Sequence, residues 1–77
     1  MAKVKIYSTP TCVYCKMTKE FLNNNSVSFE EYNVASDLVA RKEMFDKSHQ
    51  MGVPVIDIDG EIIVGFDKET IKKLLNI

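Results

Sequence analysis

The stretch that decides the fold is Ser8 to Phe21, STPTCVYCKMTKEF. Its two cysteines, Cys12 and Cys15, are the only ones in the chain. Upstream, Val4 and Ile6 alternate with Lys3 and Lys5, the two-residue period of a strand that ends near Ser8. Thr9-Pro10-Thr11 breaks that pattern. From Cys12 onward, Val13, Met17, Phe21 and Leu22 recur at helical spacing and predict an amphipathic helix. The cysteine pair therefore stands at a strand-to-helix junction, with Cys12 at the first helical turn.

Working outward, Asn23-Asn24-Asn25 is expected to stop this helix, because Asn tolerates the left-handed conformation in which helices often end. Val27 and Phe29, alternating with Ser28 and Glu30, predict a second strand reaching about Asn33. Ser36-Asp37 starts a second helix. Its positions Leu38, Arg41, Met44 and Phe45 place apolar groups mostly on one face as far as about Ser48. Val53 to Ile58 reads as a third strand. Asp59-Gly60 is a two-residue hairpin turn, and Glu61 to Val64 is the returning strand. Asp67 can cap a last helix whose Ile71, Leu74 and Leu75 fall on one side. The order βαβαββα predicts the α/β class: a mixed four-stranded sheet with three helices packed on its faces. Its first strand–helix–strand unit is parallel and its last two strands are antiparallel.

The chain has 77 residues, enough for one small domain spanning residues 1–77. A single core of this size leaves room only for a shallow site near the surface. The composition, 45% hydrophobic and 27% charged, is that of a soluble globular protein. No long apolar run predicts a membrane span. Met1-Ala2-Lys3-Val4-Lys5 alternates charge with apolar residues, unlike the core of a signal peptide. A cytoplasmic monomer is expected. The net charge of −1 makes no case for nucleic acid as a partner. Its distribution is uneven. Residues 1 to 19 hold four lysines and no acid, and the rest hold six basic against eleven acidic groups, a balance of −5. The positive end carries the cysteines, where positive charge favours a thiolate; two ordinary solvated faces give the same count.

Three uses of the cysteine pair compete. Structural zinc wants four ligands, and the chain adds only His49, distant in sequence and expected to be solvated at a helix end. A structural staple three residues long removes little unfolded-state entropy. Chemistry remains. In a reducing compartment a lone Cys-x-x-Cys leans toward redox use. At a helix N-terminus, exposed N–H groups and the helix dipole lower a thiol's pKa. Cys12 then attacks a substrate disulfide, and Cys15, one turn deeper, resolves the mixed disulfide. Lys16 and Lys19 either add to thiolate stabilisation or are ordinary exposed helix positions.

The motif Ser8-Thr9-Pro10-Thr11-Cys12-Val13-Tyr14-Cys15, followed by Gly52-Val53-Pro54 and then Gly65-Phe66-Asp67, resembles in order and spacing the glutaredoxins of the thioredoxin-fold superfamily. The resemblance covers nearly the whole chain. It implies a thioredoxin fold and a thiol–disulfide oxidoreductase that reduces protein disulfides or glutathione-mixed disulfides. It implies no tightly bound cofactor and no metal, with glutathione as a possible co-substrate. Cys12 is then the attacking thiol and Cys15 the resolving one. Thr11, Val13 and Tyr14 flank the bound thiol. Val53, before a cis Pro54, offers its backbone to a peptide or glutathione. Gly65, Phe66 and Asp67 meet the γ-glutamyl end of glutathione. Read without the resemblance, Tyr14 is a surface aromatic, Pro54 a trans proline opening an edge strand, and Asp67 a plain helix cap.

Departures from the family pattern bear on the reductant. Val13 stands where glutaredoxins usually have proline, and Thr9 where many have lysine. Gly52 replaces the usual Thr before Val-Pro, and Val64-Gly65 replaces Gly-Gly. Each weakens a glutathione site without touching the dithiol. Cys12-Val13 and Gly65-Phe66 are also similar to the small glutaredoxin-like donors of ribonucleotide reductase, which implies thioredoxin reductase as the alternative reductant. A further alternative from the same resemblance is a glutathione-dependent carrier of a two-iron, two-sulfur cluster.

Overall fold

In the computed structural model, which describes residues 3–77, the chain forms seven elements. They are β1 (Val4–Ser8), α1 (Val13–Asn24), β2 (Glu30–Asn33), α2 (Leu38–Ser48), β3 (Val55–Ile58), β4 (Glu61–Val64) and α3 (Lys68–Leu75). The part of the N-terminal alternation that rests on Met1 and Ala2 lies outside the described residues. The sheet order is β2-β1-β3-β4. β1 and β2 are parallel, with Ser8 opposite Asn33. β1 and β3 are antiparallel, with Tyr7 opposite Val55, and β3 and β4 form the expected hairpin. Its turn is Asp59-Gly60, both residues at positive φ. Glycine takes that conformation without a Cβ penalty, and Asp is among the few side chains that tolerate it. No helix among the described residues is long and apolar enough to cross a membrane.

The two-residue period of β1 sorts the core onto two faces. Val4 and Ile6 join Ile56, Ile58, Ile63, Leu22 of α1 and Ile71 of α3 on one face. Tyr7 joins Val55, Val34, and Ala40 and Met44 of α2 on the other. Helices α1 and α3 thus cover one face and α2 the other. Each fully buried Ile or Leu contributes about 1.5–3 kcal/mol of transfer free energy.

The structure corrects several sequence expectations. β2 begins at Glu30, not Val27. Val27 donates its N–H to Leu22 O at 2.9 Å, so the chain is still closing the end of α1 there. The left-handed residue at that end is Ser26 (φ 57), not one of the three asparagines. Asn25 helps differently, its side-chain amide donating to Phe21 O at 2.8 Å. β3 begins at Val55, since Pro54 has no N–H to give a ladder. The inner face of α1 is Cys15, Thr18 and Leu22, whereas Val13 and Met17 are exposed. In α2 only Ala40 and Met44 are buried; Leu38 is 71% exposed and Phe45 lies largely outside.

The remainder of α2's inner face is charged. Lys47 reaches Asp57 at 2.7 Å, Tyr7 Oη at 3.0 Å and Glu43 at 3.1 Å. The Tyr7 hydroxyl donates to Glu43. Asp57 also accepts from Gly60 N–H at 2.8 Å. This network joins α2 to β1 and β3 through buried Tyr7 and Asp57. Burial works against ionisation of Asp57, but Lys47 and the Gly60 N–H outweigh it and hold the carboxyl below its usual range. The Tyr7 hydroxyl, then Lys47, do the same for Glu43. Burial, and then the bond to Glu43, push the Tyr7 phenol up to about 12. Burial opposes the Lys47 cation, yet Asp57, Tyr7 and Glu43 raise its pKa.

These shifts set a pH window. Depressed carboxylates stabilise the fold above their ordinary pKa of about 4, and that stabilisation is lost as pH falls through the folded values. Raised Tyr7 and Lys47 stabilise it below about pH 10, and that contribution is lost as pH rises through theirs. Urea denaturation across pH is expected to show a plateau from about pH 5 to 9 with falling limbs on both sides. Asp57→Asn is expected to cost about 2 kcal/mol at neutral pH, by removing one of the two carboxylates that pair with Lys47. It should also shallow the acid limb; a limb identical to the parent's would exclude Asp57 as its source.

Candidate active site

Strand register brings three separate loops to one end of the sheet. β1 ends there at Ser8 and leads through Thr9-Pro10-Thr11 to Cys12. β3, antiparallel to β1, starts at the same end, so Val53-Pro54 enter beside it. β4, antiparallel to β3, finishes there at Val64, opposite Val55, and Gly65-Phe66-Asp67 follow. The Val53–Pro54 peptide bond is cis, and Pro54 is fully buried. Gly65 N–H donates to Pro54 O at 2.8 Å, tying the second loop to the third. Gly65 holds φ +84, which a side chain would strain.

Cys12 is the N-cap of α1. It has extended backbone angles, and its Sγ accepts the N–H of Cys15 at 3.1 Å. The two sulfurs are joined as a disulfide, with a Cα–Cα distance of 5.2 Å. Their exposures differ: Cys12 is half-buried, and Cys15 is 1% exposed. Of the two cysteines, Cys12 is therefore the one reachable from solvent. The Cys15 N–H is aimed at the Cys12 sulfur, and the helix N-terminus adds its partial positive charge there. No acidic residue lies in the first turn of α1 to oppose it. The arrangement places a solvent-reachable cysteine at a helix N-terminus with its partner cysteine bonded behind it.

Around the sulfur, Val13 is 68% and Tyr14 61% exposed, and Thr11 is exposed as well. Val53 is half-buried, as are Gly65 and Phe66. Phe66 packs edge-on against Phe21 of α1, their ring centroids 6.0 Å apart, and so holds the third loop to the redox helix. Asp67 caps α3, accepting from Thr70 N at 3.2 Å and Thr70 Oγ1 at 2.7 Å. Those bonds hold its carboxyl below the usual range. His49 sits exposed at the C-cap of α2 in the left-handed region, as the sequence suggested. Among the described residues no group of three or more His, Cys, Asp or Glu is placed to hold a metal ion.

The two lysines of α1 part company. Lys16 is exposed and has no ion pair among the described residues, whereas Lys19 pairs with Glu31 at 2.7 Å. That Glu31 also accepts from the buried Ser8 hydroxyl at 2.8 Å. The sequence marks Glu31 as no more than a strand residue, and Ser8 only as the start of the redox motif. The signal for the other polar network was present: Asp57 interrupts an apolar run, Val55-Ile56-Asp57-Ile58.

Comparison with known proteins agrees with this geometry. The glutaredoxin family model matches residues 4–63. An uncharacterized glutaredoxin-like 8.6 kDa protein of the rubredoxin operon of Clostridium pasteurianum is 57% identical over 72 residues, covering 94% of this chain and 96% of its own. Glutaredoxin 3 of Escherichia coli is 40% identical, covering 87% and 81%. Among solved structures, a thioredoxin-like protein superposes with a TM-score of 0.88 at 36% identity over 94% of this chain and 99% of its own. The glutaredoxin-like NrdH-redoxin of Escherichia coli, described by its thioredoxin-like activity profile, gives 0.84 at 26% identity, covering 94% and 93%. The chain belongs to the glutaredoxin family, whose members are thiol–disulfide oxidoreductases, and it has the thioredoxin fold.

A Cβ added at Gly65 meets no atom within 4 Å, so substitution there tests backbone conformation alone. Gly65→Ala is expected to cost about 1–2 kcal/mol in urea denaturation with an unchanged slope. A variant as stable as the parent would show that the left-handed conformation is not required.

Proposed function

We propose that this glutaredoxin-family chain is an electron carrier that reduces protein disulfides and glutathione-mixed disulfides through Cys12 and Cys15. The observation that carries the proposal is the pairing of a half-exposed, N-capping Cys12 sulfur with a buried Cys15 whose N–H points at it. The Cys12 thiolate attacks one sulfur of the substrate disulfide. The S–S bond breaks, one substrate thiolate leaves and takes a proton, and a mixed disulfide to Cys12 forms. Cys15, losing its proton, then attacks the Cys12 sulfur. The second substrate thiolate leaves, and the Cys12–Cys15 bond closes. Two electrons pass to the substrate, and a reductant returns them to the pair.

In this reading Tyr14, Thr11 and Val13 flank the bound thiol. The Val53 backbone beside Pro54 receives an extended segment as an added strand. The Gly65 to Asp67 loop receives the far end of a glutathione moiety. Glutathione then acts as co-substrate. Thioredoxin reductase as reductant, with ribonucleotide reductase as acceptor, is the second reading. Three observations favour it. Thr9 brings no cation to the loop. The Asp67 carboxylate is already engaged by Thr70. The NrdH-redoxin of Escherichia coli superposes over nearly the whole chain. Carriage of an iron–sulfur cluster draws only Cys12 from this chain, with Cys15 competing for it by closing the disulfide.

Cys12→Ser is expected to abolish disulfide reduction, measured as NADPH consumption with a small disulfide substrate. Cys15→Ser should lose dithiol reduction while keeping any turnover of glutathione-mixed disulfides. Parent-rate turnover by the Cys12 variant would overturn the mechanism. Run with glutathione plus glutathione reductase, and separately with thioredoxin reductase alone, the same assay assigns the reductant.

A further inference from the structure

Lys19 lies seven residues beyond Cys12, and positions 12, 15, 16 and 19 fall along one stripe of α1. At 1.5 Å per residue this is about 10 Å along the helix axis. An unbalanced cation there would add positive potential along the stripe that begins at Cys12. The cation is not unbalanced. A single oxygen, Glu31 Oε2, accepts from Lys19 Nζ at 2.7 Å and from Ser8 Oγ at 2.8 Å. Ser8 is 1% exposed and is the last residue of β1, four positions before Cys12. One carboxylate therefore joins β1, β2 and α1 where the chain leaves the sheet for the redox loop. A hollow of about 320 Å³, lined by Ser8, Thr9, Pro10, Glu31 and Asn33, opens along the same loop. Lys19, then the Ser8 hydroxyl, hold the Glu31 carboxyl below its usual range against the opposing effect of burial, so it is charged at neutral pH.

We propose that Glu31 is a positioning residue for the dithiol: it holds the Lys19 ammonium against β1 and β2 and cancels the positive potential that Lys19 would otherwise direct at Cys12. The proposal rests on Cys12 being the attacking thiol. The disulfide carries no charge, whereas the reduced pair carries a thiolate. Added positive potential therefore favours the dithiol and makes the couple a stronger oxidant. By balancing Lys19, Glu31 keeps the pair a better reductant and leaves exposed Lys16 as the near cation of α1. At a separation on the order of that rise, a unit charge screened by salt is worth about two- to fivefold in an equilibrium constant.

The test equilibrates the full chain with dithiothreitol redox buffers at pH 7 and low salt and reads the dithiol–disulfide equilibrium constant. Glu31→Gln keeps a side-chain acceptor for Ser8 and removes the charge. It is expected to shift the equilibrium toward the dithiol by about threefold, or about 14 mV for a two-electron couple. Lys19→Met is expected to shift it the opposite way, and the double variant to return near the parent. All three shifts should collapse at 1 M salt, where the Debye length is about 3 Å. An unmoved equilibrium in Glu31→Gln, or a shift that persists at 1 M salt, overturns the proposal. Mapping the first thiol alkylated in the reduced parent separates the two readings. If Cys15 reacts first, the functional reading falls. If Cys12 reacts first and the equilibrium does not move, only the role of Glu31 falls.

Discussion

Strand β1 is hydrogen-bonded on both sides, parallel to β2 and antiparallel to β3, and the chemistry of the molecule hangs from its last residue. Pairing of Tyr7 with Val55 and of Ser8 with Asn33 fixes which loops meet at that end of the sheet. A slip of one residue would turn Val4 and Ile6 out of one core and Tyr7 out of the other. It would also carry the Val53-Pro54 turn away from the redox loop. The site is thus held by the same register that buries the core.

Polar contacts complete what the ladder begins. Consecutive residues of β1 each anchor to a charged cluster on opposite faces. Tyr7 bonds to Glu43 and Lys47 of α2, and Ser8 bonds to Glu31, which in turn holds Lys19 of α1. A buried hydroxyl left without a partner costs about 1–3 kcal/mol, so both clusters resist rearrangement. Together they clamp the strand end from two sides. The Phe21–Phe66 contact and the Gly65-to-Pro54 hydrogen bond then bind the other two loops to α1 and to each other. The cysteine pair sits at a corner tied together from several elements, Cys12 half-buried and Cys15 covered.

The redox loop, the β3–β4 hairpin and the cap of α3 were legible in the sequence because each is written in short local chemistry, whereas the cis bond before Pro54 was implied only by the family resemblance. Cys12 and Cys15 mark a helix start, Asp59-Gly60 marks a hairpin, and Asp67 marks a cap, and each does so within a few residues. Element order followed from periodicity for the same reason. The errors arose where a local pattern was overruled by distant packing. Val13 and Met17 continue the apolar spacing of α1 yet lie outside, because Cys15, Thr18 and Leu22 are what meet the sheet. Leu38 and Phe45 do likewise in α2, whose inner face gives space to Glu43 and Lys47.

By itself, the sequence determined the kind of chemistry and the class of fold. Two cysteines three residues apart at a helix N-terminus suit redox exchange, and a βαβαββα order closes into one mixed sheet. Tertiary structure alone decided how far each cysteine is buried and what surrounds it. Which cysteine faces solvent depends on how α1 lies against β1. Which lysine remains unpaired depends on Glu31, twelve residues beyond Lys19 and on another element. Burial and charge pairing are properties of residues brought together across the chain. Short-range periodicity cannot state them, because the free energy that sets them belongs to contacts between elements rather than to any one of them.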